Sequence, residues 1–182
     1  MRKLLIGLIT VAIMSGCAHA QARQTTKQAH TKSHLPAHLP AHLPANAEHS
    51  VYHADADAMG DIDKAMARAK LRGTKLIVVM GGNWCHDSLG FAARLDKPKF
   101  KALIEKNYEL VYVNSGEKPR QKDQNRAVSK RFGVAAIAGS PTVFIVRTDG
   151  TVLNPDSAGY WRYADSIPED MSYAYLSYYA DK

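Results

Sequence analysis

Chemistry in this chain concentrates in five consecutive residues, Trp84-Cys85-His86-Asp87-Ser88, which set a thiol beside an imidazole, a carboxylate and a hydroxyl. They follow a short apolar run at 75–80 (KLIVVM) and a glycine-rich turn, and they open a stretch of helical spacing from Cys85 to about Leu95. A helix N-terminus carries unpaired N–H groups and partial positive charge, which favours a sulfur there as thiolate, the form that attacks electrophiles. His86, when protonated, would add a neighbouring cation; its other reading is an exposed first-turn residue. Asp87 favours the helix start but repels a thiolate, so capping suits it better than catalysis. Ser88 could donate to Cys85 or merely fill space.

Only one other cysteine exists, Cys17, and it lies in a different kind of sequence. A basic start (Arg2, Lys3), an apolar run at 4–14 and small residues before Cys17 read as a secretory signal, too short for a stable membrane span. Met14-Ser15-Gly16-Cys17 resembles the lipobox of bacterial lipoproteins. That resemblance implies a signal peptide over 1–16, lipidation of Cys17, and a membrane anchor through it. Ala18, in place of a retention aspartate, implies the outer membrane, with the domain facing the periplasm. A soluble secreted protein cleaved after Ala18 or Ala20 is the alternative. Lipidation would consume Cys17 and leave Cys85 a lone thiol in an oxidising compartment, with no internal disulfide open to it.

Residues 17–50 read as a linker whose three HLPA copies place proline every fourth residue, forbidding a continuous helix. His34, His38 and His42 recur within it, but the prolines prevent helical i, i+4 geometry and no cysteine or carboxylate is interleaved. A spacer is the favoured reading over a metal site, and no metal or cofactor is expected. The net charge of +7 falls to +5 once Arg2 and Lys3 leave. The densest basic group (Arg120, Lys122, Arg126, Lys130, Arg131) fits a solvated helix face, and export argues against nucleic acid as a partner.

The remainder, 51–182, alternates helical and extended patterns. A helix capped by Asp61 is expected to about Leu71, then the buried strand at 75–80 and the helix opening at Cys85. Another helix follows with Pro98 in its first turn, and then an alternating strand at 108–114 (YELVYVN). A helix near 123–131 ending at Gly133 leads to a strand at 142–147 (TVFIVR), which Thr148-Asp149-Gly150 turns into a hairpin arm at 151–153. Ser166 and Glu169 suggest a capping box for a last helix to about Ala180. This order implies an α/β fold, a mixed central sheet flanked by helices and ending in a β-hairpin plus helix. Tyrosines 173, 175, 178 and 179 do not fit one face of that last helix, so some must be exposed or in contact.

The element order and the WCxxS turn resemble the thioredoxin-like family, with Ser88 in place of the second cysteine. Gly139-Ser140-Pro141-Thr142 stands where that family carries its cis-proline loop, which implies a cis Pro141 beside the active turn and substrate pairing at Ser140. Trp84 would shield one side of the site. The resemblance implies Cys85, His86 and Ser88 as catalytic residues and Trp84, Ser140 and Pro141 as substrate-binding ones. Two departures matter: Ser88 cannot close an internal disulfide, and the family's buried acid corresponds here to Val79. Dithiol reduction is thereby disfavoured. Monothiol exchange with periplasmic protein thiols or disulfides, completed by an external reductant, remains open, as does a non-catalytic binding module.

Overall fold

The computed structural model describes residues 50–117 and 124–182. The expected signal peptide over 1–16, the lipidation residue Cys17, the HLPA repeats, Arg120, Lys122 and Asp123 lie outside the described residues. The first helix, α1 (Ala58–Arg72), buries Ala58, Ile62, Ala65 and Ala69 along one stripe and ends at Gly73 in the left-handed conformation. Its cap is Asp57, not Asp61: the Asp57 carboxylate accepts from the Gly60 N–H at 3.0 Å. Glycine makes this possible, since a Cβ at Gly60 would lie 2.1 Å from Asp57 Oδ2. Asp61 instead sits in the first turn and pairs with Lys64 at 3.2 Å.

Three strands follow the order β2-β1-β3. β1 (Lys75–Gly81) runs parallel to β2 (Tyr108–Asn114) and antiparallel to β3 (Thr142–Val146), giving the expected mixed sheet. A central strand is covered on both faces, which is why KLIVVM is apolar without alternation. Leu76, Val78 and Met80 pack with Ile62, Ala65 and Ala69 of α1 and with Val128 of α4 (Arg126–Arg131). Ile77 and Val79 pack against α2 (His86–Leu95), α3 (Pro98–Asn107) and α5 (Glu169–Ala180), through Phe91, Phe100, Ile104 and Leu176. Burying each side chain of that size stabilises by roughly 1.5–3 kcal/mol. Glu109 of β2 is 1% exposed and is clamped by Arg68, at 2.8 Å, and by Arg72, which fixes α1 across the sheet.

Two C-terminal expectations change. The hairpin narrows to a single bridge, Val146 to Val152. Beyond it the Asn154 side chain takes the partner strand's place, accepting from Ile145 N at 2.8 Å and donating to Val143 O at 2.8 Å. The capping box does not form: α5 starts after Pro168 without a side-chain cap, and Glu169 pairs with Lys97 and Lys99. Between β3 and α5 lies a 3-10 segment, η1 (Ala158–Ser166), kinked at Tyr163 and absent from the sequence reading. Tyr173, Tyr175 and Tyr179 pack against the core, whereas Tyr160, Tyr163 and Tyr178 are exposed.

Candidate functional site

The site forms where β1 runs out. A turn delivers Cys85 as the N-cap of α2, in extended conformation, with its own side chain capping nothing. Its Sγ is therefore free to turn toward the loop before β3, where it donates to Ser140 O at 3.0 Å. The Ser140–Pro141 peptide is cis, as the resemblance implied. Ser88, one turn into α2 and fully buried, directs its hydroxyl to Ser140 Oγ at 2.8 Å rather than to Cys85. Helix start and loop are thus joined by two bonds through one serine. Cys85 is 9% exposed at this junction.

Trp84 is half-buried, its indole N–H donating to Gly116 O at 2.7 Å, which fixes the ring on the flank of the turn. His86 is exposed, with Nδ1 3.8 Å from Asp165 Oδ2. Asp87 accepts from Asp165 N at 2.9 Å, so the first turn of α2 is stitched to η1 rather than to the sulfur. Val79 is fully buried in the apolar cluster facing α2. The expected residues Cys85, Ser88, Ser140 and Pro141 thus converge, while Trp84 and His86 border them.

Two residues behind the turn escaped the sequence reading. Asn83 accepts from Val51 N at 3.0 Å and Tyr52 N at 3.1 Å, and donates to Ser50 Oγ at 3.0 Å and Tyr52 O at 2.7 Å. All four bonds hold the N-terminal strap onto the residue two before the cysteine. Tyr52, fully buried, donates from its hydroxyl to Ser88 O at 3.2 Å. Burial first, and then Tyr112 nearby, push its phenol well above the ordinary tyrosine value, so it remains a neutral donor. Its ring lies so close to Gly81 that a Cβ there would come within 2.4 Å of it. These contacts span 31 to 36 residues of sequence, and no local pattern signals them.

Among the described residues, no three His, Cys, Asp or Glu side chains gather as a metal would require. Nor is any described helix long and apolar enough to cross a membrane. What the arrangement offers is one sulfur nucleophile at a helix start, against a cis-proline loop, with no second thiol among the described residues.

A solved disulphide isomerase from Xylella fastidiosa Temecula1 is 28% identical, with a TM-score of 0.64, over 72% of this chain and 98% of that one. The C-terminal domain of Neisseria meningitidis DsbD, in its oxidised form, is 19% identical with a TM-score of 0.47, over 68% and 96% of the two chains. No curated protein matches the chain. A family model described as thioredoxin-like matches residues 57–148, about half of the sequence, and the chain belongs to that thioredoxin-like family.

Proposed function

We propose that the domain performs thiol–disulfide exchange with protein substrates through Cys85 as its single active sulfur. The observation that carries this reading is Cys85 Sγ at the mouth of α2, 3.0 Å from the carbonyl of Ser140 before the cis Pro141. The likeness to a disulphide isomerase supports it. The Cys85 thiolate attacks one sulfur of a substrate disulfide. Cys85 becomes joined to that sulfur, and the other leaves as a thiolate, taking up the proton Cys85 released. Ser88 has no sulfur with which to cleave this mixed disulfide. An external thiol therefore attacks it, freeing Cys85 and carrying away the substrate sulfur as a new disulfide.

In this reading the chain is an envelope lipoprotein anchored through lipidated Cys17, at the outer membrane and facing the periplasm. A linker of about thirty residues, extended at ~3 Å per residue, reaches up to ~90 Å from the anchor. Trp84, Ser140 and Pro141 border the substrate; Ser88, expected to act on the sulfur, instead positions the loop through Ser140 Oγ, and His86 stands at the rim facing Asp165. Mass spectrometry of Cys85 recovered from acid-quenched cells tests the exchange. Protein or small-thiol adducts that vanish in Cys85→Ala are expected; an unmodified thiol in every preparation refutes it.

A second reading, a non-catalytic binding module, draws on the fact that Cys85 is 9% exposed and its S–H is engaged by a carbonyl. It requires partner capture to survive Cys85→Ala, which exchange does not permit.

A further inference from the structure

η1 carries a cation that exchange at Cys85 leaves without a role. Arg162 lays its stem on Gly139, where an added Cβ would meet Arg162 Cδ at 2.7 Å and Cβ at 2.8 Å. Gly139 directly precedes Ser140, whose carbonyl holds the Cys85 sulfur. The guanidinium is oriented by donation from Nη1 to Gly159 O at 3.3 Å and by stacking 4.6 Å from the centre of the Tyr163 ring. Among the described residues it pairs with no carboxylate, unlike Arg68, Arg72 and Arg131. Asp165, the acid nearest in sequence, turns its carboxylate toward His86 on α2, while its backbone N–H donates to Asp87. The segment is also anchored: Trp161 is 1% exposed, with its ring 4.6 Å from that of Phe91 and 4.9 Å from that of Tyr175. A half-buried arginine is thus held beside the proline loop with its fork of donors unspent on any acid.

We propose that Arg162 sets substrate specificity by receiving a carboxylate carried close to the disulfide that Cys85 attacks. This rests on the exchange reading above and adds the substrate class to it. A planar guanidinium matches a carboxylate with two parallel N–H donors, and its pre-ordered stem reduces the entropy lost on binding. The carboxylate can belong to an acidic residue flanking a protein cysteine or to a small carboxylated disulfide.

The test compares exchange rates on two matched pairs of probes. One pair is a mixed-disulfide peptide with Glu or Gln two residues from its cysteine; the other is dithiodipropionic acid and its diamide. Wild type should prefer the carboxylate probe over its neutral match by about fivefold more than Arg162→Gln does, the scale of one well-placed ion pair. Arg162→Lys, which keeps charge without the fork, should fall between. The wild-type preference should also shrink in roughly 0.5 M salt, a readout that needs no variant. Loss of preference on the peptide pair alone assigns an acidic protein substrate; loss on both pairs assigns any adjacent carboxylate. Identical preferences in wild type and Arg162→Gln, unmoved by salt, overturn the role of Arg162 and leave exchange standing. Failure of every probe to react at Cys85 in the wild type removes the exchange reading and this inference with it.

Discussion

Replacing Gly81 by alanine tests how the turn is seated. The added Cβ would lie 2.4 Å from Tyr52 Cζ and 2.6 Å from its hydroxyl oxygen. The ring cannot swing aside easily: it is fully buried and meets Tyr112 edge-on at 5.6 Å. Nor can Gly81 retreat, since its carbonyl accepts from both Ser115 N at 2.7 Å and Ser115 Oγ at 3.0 Å. Overpacking of this kind costs about 1–3 kcal/mol. With a urea m-value of about 2 kcal/mol per molar, the midpoint should fall by roughly 1 M. In a Tyr52→Leu background the obstacle is gone, and the same glycine change should cost at least about 1 kcal/mol less. Because Tyr52 also holds Ser88 O, the clash should reach the first turn of α2 and change the alkylation rate of Cys85. Urea unfolding of the four proteins in this cycle measures the coupling. Equal costs in both backgrounds, or a Gly81→Ala cost below about 0.5 kcal/mol, would refute the reasoning.

Ser88→Ala should destabilise by about 1–3 kcal/mol by leaving the buried Ser140 hydroxyl unpaired, and Ser88→Ala with Ser140→Ala should cost less than the sum of the singles, both read from denaturant midpoints. Asp57→Ala should cost about 1 kcal/mol and Asp61→Ala less than about 0.5, since only the first caps α1; equal thermal shifts would contradict this. Burial raises the phenols of Tyr52, Tyr108 and Tyr112 above their unfolded value of about 10. The neutral forms favour folding, so this stability is complete below pH ~10. It falls above that by about 1.4 kcal/mol per pH unit for each such phenol until the folded pKa is passed. Urea midpoints from pH 9 to 11 measure the slope, and full phenolate absorbance in the folded protein would oppose it.

The parts of the fold legible in sequence are those with local cause. Five consecutive apolar residues at 76–80 require a strand covered on both faces, and the SPT triplet that leads into β3 marks the loop through resemblance. Long-range contacts decide the rest. Asp57 and Asp61 stand four apart at the start of α1, and the helix begins after the first, where the missing Cβ of Gly60 leaves room for its carboxylate. Ser166 and Glu169 have capping-box spacing, yet Lys97 and Lys99 at the start of α3 claim the glutamate. η1 buries Ala158, Trp161 and Ala164 at a spacing of three, a pattern that two alanines make faint, and its order comes from Trp161 packed against Phe91 and Tyr175. At the site, the cysteine and the proline loop were readable, but not the seat beneath them, which Tyr52 and Asn83 supply from across the fold.

The reactivity of Cys85 in the folded chain is the decisive quantity. Cys85 should react with iodoacetamide at neutral pH in the folded protein without denaturant, because exchange requires its sulfur to be reachable beside the proline loop. A thiol that stays inert until the protein unfolds would show the sulfur to be mere filling between helix and loop, and thiol chemistry would have to be abandoned.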